Sequence, residues 1–136
     1  KSTLNSELLN KAQQTTSIMF HDSVVDIEKY YAAIDVLVLP SYREGFGNVV
    51  VEAGAVGTPS IVSNIPGPLD AIDINNTALT VQVKDVNDLI DKMRMIKNMN
   101  YKLMGNNAAK YCRDRFDSEK LSRKIYERKK YLINKN

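Results

Sequence analysis

An α/β protein with a parallel sheet covered by helices on both faces is the fold predicted here, on three observations. Short apolar runs alternate with helical patterns along most of the chain. Val36 to Leu39 are four consecutive large aliphatics, as in a parallel strand buried on both faces. Pro40 ends that run directly before a glycine-punctuated turn, Tyr42–Gly47, and a helix opening. Strand, tight turn and helix start, in that order, build an anion site at the carboxyl edge of an open sheet.

Taken in order, the elements follow from spacing and punctuation. Leu4, Leu8 and Ala12 recur at i, i+4 and i+8, so residues 3–14 predict a helix with Thr3 as N-cap. Ser17–His21 is short, apolar and partly β-branched, which predicts a buried strand closed by a turn at Asp22 and Ser23. Asp26 to Ala33 predicts a helix, with Ile27, Tyr30, Tyr31 and Ile34 at helical spacing. Val36–Leu39 is the clearest strand. Asn48–Val56 fits two templates: three adjacent valines favour a strand, whereas Val49, Ala53 and Val56 favour a helix. The glycines on both sides favour a short helix closed at Gly57.

Thr58–Ser63 predicts a third strand, Asn64–Pro68 a loop, and Leu69–Ile72 a single helical turn. Ala78–Val83 alternates enough for a fourth strand. Asp85 caps a helix running to about Met99, with Val86, Leu89, Ile90, Met93 and Ile96 inward. Helices over residues 101–115 and 118–133 follow, the last with Leu121, Ile125, Arg128 and Leu132 on one face. Four strands are few for a doubly wound sheet.

The composition is that of an ordinary globular chain: 136 residues, 43% hydrophobic and 26% charged. That length supports one core. The chain opens on Lys1 without an initiator methionine, so it reads as a piece of something longer. It contains neither a membrane-length apolar run nor a signal-peptide pattern. A single cysteine, Cys112, excludes an intrachain disulfide and a multi-cysteine metal site, fits a reducing cytoplasm, and reads as a packing residue. The net charge of +3 is uneven, because residues 110–136 hold ten basic and four acidic side chains. That basic end is a solvated helix face or a contact for an anionic membrane surface. No aromatic-interleaved or helix-turn-helix pattern supports nucleic-acid binding.

Chemistry concentrates in the turn. Gly45 and Gly47 allow positive φ or close approach of a ligand to the backbone. Glu44 lies near a helix N-terminus, where a carboxylate is comfortable in the dipole field. Glu52 shares a helix face with Asn48 among valines, a polar pair suited to a ligand's hydroxyls. His21 at a strand end is either a satisfied structural residue or a donor contact, and Arg43 could reach a phosphate.

Pro40-Ser41-x-x-Glu44-Gly45-Phe46-Gly47-x4-Glu52-Ala53 resembles the Glu-x7-Glu signature of the retaining glycosyltransferases of family four. Around it, Asp26–Asp35 resembles the family's helix before the Pro-Ser strand, and Gly57–Val62 its Gly-x-Pro-Val strand. Gly67–Ile72 resembles its Gly-x-x-Glu loop, with Asp70 where the family has glutamate, and His21 stands where it often shows glycine. The resemblance covers about residues 16 to 133. It implies a Rossmann-like sheet within the C-terminal, donor-binding half of a two-domain GT-B fold.

The resemblance further implies roles for individual residues. Glu44 would hydrogen-bond the donor sugar near its reacting carbon, and Glu52 the ribose hydroxyls. The backbone N–H groups of Gly45, Phe46, Gly47, Asn48 and Val49 would meet the sugar and diphosphate. The implied substrate is a nucleoside-diphosphate sugar, with no metal or other cofactor, and no Asp-x-Asp occurs in the chain. The implied reaction is retaining transfer of a hexosyl group to a sugar or lipid-linked acceptor, as in surface polysaccharide synthesis. Cytoplasmic location follows, with peripheral membrane contact through the basic end. The family's diphosphate-neutralising basic residues and its acceptor domain fall upstream of the region covered, so these 136 residues alone are expected to bind donor without catalysis. The rivals are a sugar-nucleotide epimerase on the same scaffold and a non-catalytic nucleotide-binding module.

Overall fold

The computed structural model describes residues 5–133, and within α6 the side chains of Leu121 and Leu132 lie outside that description. The expected cap Thr3 and the apolar Leu4 also fall outside it. In chain order the elements are α1 (Ser6–Gln13), α2 (Ile27–Ala33), β1 (Leu37–Leu39), α3 (Asn48–Ala55) and β2 (Ser60–Ser63). A 3-10 turn at Pro68–Ala71 follows, then β3 (Ala78–Val81), α4 (Val86–Asn98), α5 (Tyr101–Arg115) and α6 (Ser118–Ile133). Asn5 caps α1, its side chain accepting from the Glu7 N–H.

The three strands form one parallel sheet in the order β1-β2-β3. Val38 stands opposite Ile61, and Ile61 opposite Leu79. Side chains alternate across the pleat, so each strand feeds two cores. On one face Val62 and Ala78 meet Val50 of α3 and Ala71 and Ile72, with Leu37 and Leu39 packed against them. On the other, Ile61, Leu79 and Val81 meet Ile96 of α4 and Met104 of α5, flanked by Val36 and Val38. All of β2 is buried, as a central parallel strand should be. Ile61 and Val62 are each worth about 1.5–3 kcal/mol of burial. Helices therefore cover both faces, as the alternating pattern predicts.

The ambiguous Asn48–Val56 segment is helical. It ends with Val56 as C-cap, and Gly57 follows at φ +89°. Cys112 is buried against Gly54, where a built Cβ would stand 2.8 Å from its sulfur, and burial pushes the thiol pKa up. It is a packing residue.

Three expectations need correction. Ser17–His21 is not a strand, and Met19 is 80% exposed. A parallel strand requires a ladder partner, and none pairs with this segment among the described residues. On α4 only Leu89 and Ile96 belong to the core, whereas Val86, Ile90 and Met93 are exposed. Among the described residues the sheet beneath is three strands wide and α4 packs on β3, so the apolar face of the helix is broader than the surface it meets. Met93 instead lines an open groove of about 590 Å³ beside β1, with Val36, Val38 and Tyr101. On α6 Ile125 is exposed, so the face it was expected to share with Arg128 is not packed inward there, and Arg128 sits over the Tyr131 ring. The strands are also shorter than their apolar runs, with Thr58 outside β2 and Val83 outside β3.

Candidate functional site

The site is built where β1 stops. Pro40 cannot extend the ladder, and the chain turns through Ser41–Phe46 into α3. Gly47 is the N-cap of α3 at φ +81°, ψ +50°, a left-handed conformation that a Cβ makes costly. Its carbonyl accepts from the Val50 N–H at 2.8 Å, which starts the helix. Among the described residues no side chain caps α3, so the N–H groups of Asn48 and Val49 stay available at the positive end of the helix dipole.

Glu44 is exposed at the turn, and its Oε1 accepts from the neighbouring Gly45 N–H at 3.2 Å. One turn into α3, Glu52 is also exposed, and its Oε2 accepts from the Tyr31 hydroxyl at 3.2 Å. The two carboxylates thus bracket an uncapped helix opening. Among the described residues neither forms an ion pair. Asn48 is exposed at the first position of α3, and Val49 is half-buried behind it.

A second loop braces this turn. Gly67, at φ +95°, lies so close that a Cβ built on it would stand 2.1 Å from the Gly45 carbonyl oxygen and 2.9 Å from that of Glu44. Pro68, fully buried, packs against Gly47, whose built Cβ would stand 3.4 Å from the proline Cα. Asp70 is exposed on the same loop. Neither the Gly67 contact nor the Tyr31–Glu52 bond is visible in local sequence. For the Gly67 contact the Pro66-Gly67-Pro68 string is a signal, but it marks a stiff loop without saying what the loop touches.

The remaining predicted residues divide. The Phe46 ring meets Phe116 edge-on, at 5.5 Å between centroids and 79° between planes. Phe116 in turn meets Tyr111 of α5. Phe46 therefore contributes backbone to the turn while its ring anchors the turn to the end of α5. Arg43 is exposed and unpaired among the described residues. His21 is exposed and meets Tyr30 of α2 edge-on at 5.4 Å, with no hydrogen bond or ring contact linking it to the turn. Sequence reasoning missed Lys84. Its ammonium lies 5.8 Å from the Tyr42 ring centroid, beside a crevice of about 210 Å³ lined by Pro40, Tyr42, Ser63, Gln82 and Asp85. That crevice sits beyond the carboxyl ends of all three strands, where open parallel sheets take their ligands.

Comparison with known proteins bears on the fold and the family. The family described as Glycosyl transferases group 1 matches residues 2–98. A capsular polysaccharide biosynthesis glycosyltransferase of Staphylococcus aureus, CapM, is 30% identical over 108 residues, covering 78% of this chain and 28% of that protein. Sucrose-phosphate synthase from Thermosynechococcus elongatus superposes with a TM-score of 0.83 at 26% identity, covering 96% of this chain and 34% of that one. Anabaena HepE, solved with UDP, shares the fold with a TM-score of 0.83 at 20% identity, covering 93% of this chain and 36% of that one. The chain thus spans under a third of the curated relative's length. Its sheet is that of the Rossmann-like half of a GT-B fold, and the chain belongs to the group 1 glycosyl transferases.

Proposed function

We propose that these residues form the nucleotide-sugar-binding part of a retaining glycosyltransferase that builds a surface polysaccharide. The observation that carries the reading is the pair Glu44 and Glu52, set either side of the uncapped N-terminus of α3 at the carboxyl edge of a parallel sheet. In this reading the residues act as one C-terminal Rossmann-like domain and lack catalytic activity alone. A diphosphate takes the N–H groups of Gly45–Val49, that of Gly45 leaving Glu44 Oε1 for it, as an anion at a helix N-terminus does. Glu52 receives the ribose hydroxyls, and Glu44 the hydroxyls of the sugar near its reacting carbon. Arg43 and Lys84 are the cations nearest in sequence or crevice to that diphosphate.

In the transfer, the bond between the sugar's anomeric carbon and the diphosphate oxygen breaks, and a bond from that carbon to an acceptor hydroxyl oxygen forms. The acceptor's proton passes to the departing diphosphate. The protein's share is positioning and stabilisation of the charge that develops on the leaving group. A uridine donor has support from the UDP bound to HepE, and a saccharide acceptor from the capsular relative's role. The test is the product of the complete protein. We expect an α-configured donor to give an α-linked product by NMR, at a rate that EDTA does not change. A β-linked product or loss of rate in EDTA would overturn the retaining, metal-free reading.

The exposed, basic surface of α6, with Lys120, Arg123, Lys124, Lys129 and Lys130, supports cytoplasmic work at an anionic membrane face, where a lipid-linked acceptor would lie. Among the described residues, no helix is long and apolar enough to cross a membrane. The complete protein is expected to co-sediment with vesicles containing anionic lipid and to be released by salt. Equal binding to neutral vesicles would remove the charge argument.

A further inference from the structure

We propose that Tyr31 is a positioning residue of this nucleotide site. Its hydroxyl holds one carboxylate oxygen of Glu52 so that the other oxygen is presented to the ribose of a nucleoside diphosphate. The inference rests on the reading of Glu52 as a ribose ligand and adds the device that aims it.

Four observations support it. Tyr31 is the one residue of α2 that is buried, at 7% exposed, while its neighbours Tyr30 and Ala32 face solvent. Its hydroxyl donates to Glu52 Oε2 at 3.2 Å across 21 residues of sequence, so α2 and α3 are tied at this point. The Tyr31 backbone is itself fixed, because the buried Thr58 hydroxyl donates to its carbonyl at 2.6 Å. Finally, Glu52 Oε1 has no partner among the described residues.

A carboxylate offers about four lone-pair directions, and one donor leaves most of them open. An exposed helical glutamate without such a bond loses rotamer freedom when a ligand arrives, and that cost falls on affinity. The tyrosine bond orders it beforehand. Burial and the facing carboxylate both push the Tyr31 hydroxyl pKa above its ordinary value, so at neutral pH it remains a donor. A buried hydroxyl that merely needs an acceptor would look similar in the coordinates. The two roles separate in how binding depends on the ribose.

The experiment compares wild type, Tyr31→Phe and Glu52→Ala in the complete protein. It measures by calorimetry the Kd of uridine, guanosine and adenosine diphosphates and of their 2′,3′-dideoxy counterparts. For the preferred base, Glu52→Ala should bring the ribo-to-dideoxy preference close to one. Tyr31→Phe, which removes only an oxygen, should cut that preference about 3- to 10-fold while leaving dideoxy affinity unchanged. If Glu52→Ala abolishes the preference and Tyr31→Phe leaves it intact, the positioning role is wrong and the ribose reading stands. If Tyr31→Phe weakens both ligands equally, the bond is structural only, and the proposal fails. If Glu52→Ala leaves the preference intact, or no nucleotide binds, both fail.

Discussion

Replacing Gly67 by alanine is expected to lower the thermal transition of this region by about 5–15 °C and to reduce donor-dependent turnover of the complete protein at least tenfold. The added Cβ would lie 2.1 Å from the Gly45 carbonyl oxygen, a backbone atom that no rotamer change can move. The loop cannot easily yield either. Gly67 sits at φ +95°, where an L-residue is strained, and Pro66 and Pro68 restrict the backbone on each side. Pro68 is fully buried against Gly47, so relief must come from the Glu44–Gly47 turn itself. Differential scanning calorimetry with a turnover assay checks this. An alanine variant with unchanged transition and rate would mean that the two loops separate at no cost and that the brace is unimportant.

That brace also shows what could be read from the chain and what could not. The β1–turn–α3 unit is legible because each part carries a local signal: four aliphatics, a proline stop, glycines able to adopt positive φ, and glycines on both sides of Asn48–Val56 that decide for a helix where spacing alone fits two templates. The helices from Asp85 onward were legible for the same reason, and Asp85 caps α4 by accepting from the Asp88 N–H at 2.9 Å. Ser17–His21 has equally good local strand chemistry and forms no strand, since pairing depends on a neighbour elsewhere in the chain. Tyr31 looked like one more apolar position on α2. Its partner lies 21 residues away, and nothing in the spacing of α2 marks its hydroxyl as different from that of Tyr30.

The second large effect is a contrast between the two carboxylates. Glu44→Gln should leave nucleoside-diphosphate affinity within about twofold and lower kcat about 100-fold or more, because in this reading it touches only the sugar at the reacting centre. Glu52→Ala should do the opposite to first order, weakening the nucleotide about 10- to 100-fold through loss of charge-assisted bonds to the ribose. The geometry motivates the split. Glu44 stands in the turn before the helix opens, and Glu52 lies one turn inside it on the side of α2. Equal effects of both substitutions on kcat and Kd would show that the carboxylates act together on one part of the donor.

The most direct measurement is amide hydrogen exchange of the complete protein with and without uridine, guanosine and adenosine diphosphates, repeated on Glu52→Ala. The account predicts that one of the three slows exchange at Gly45–Glu52, where the N-terminal amides of α3 would meet the diphosphate, and that Glu52→Ala removes most of this protection. Nucleotide binding that protects other segments and leaves Gly45–Glu52 exchanging as in the free protein would contradict it.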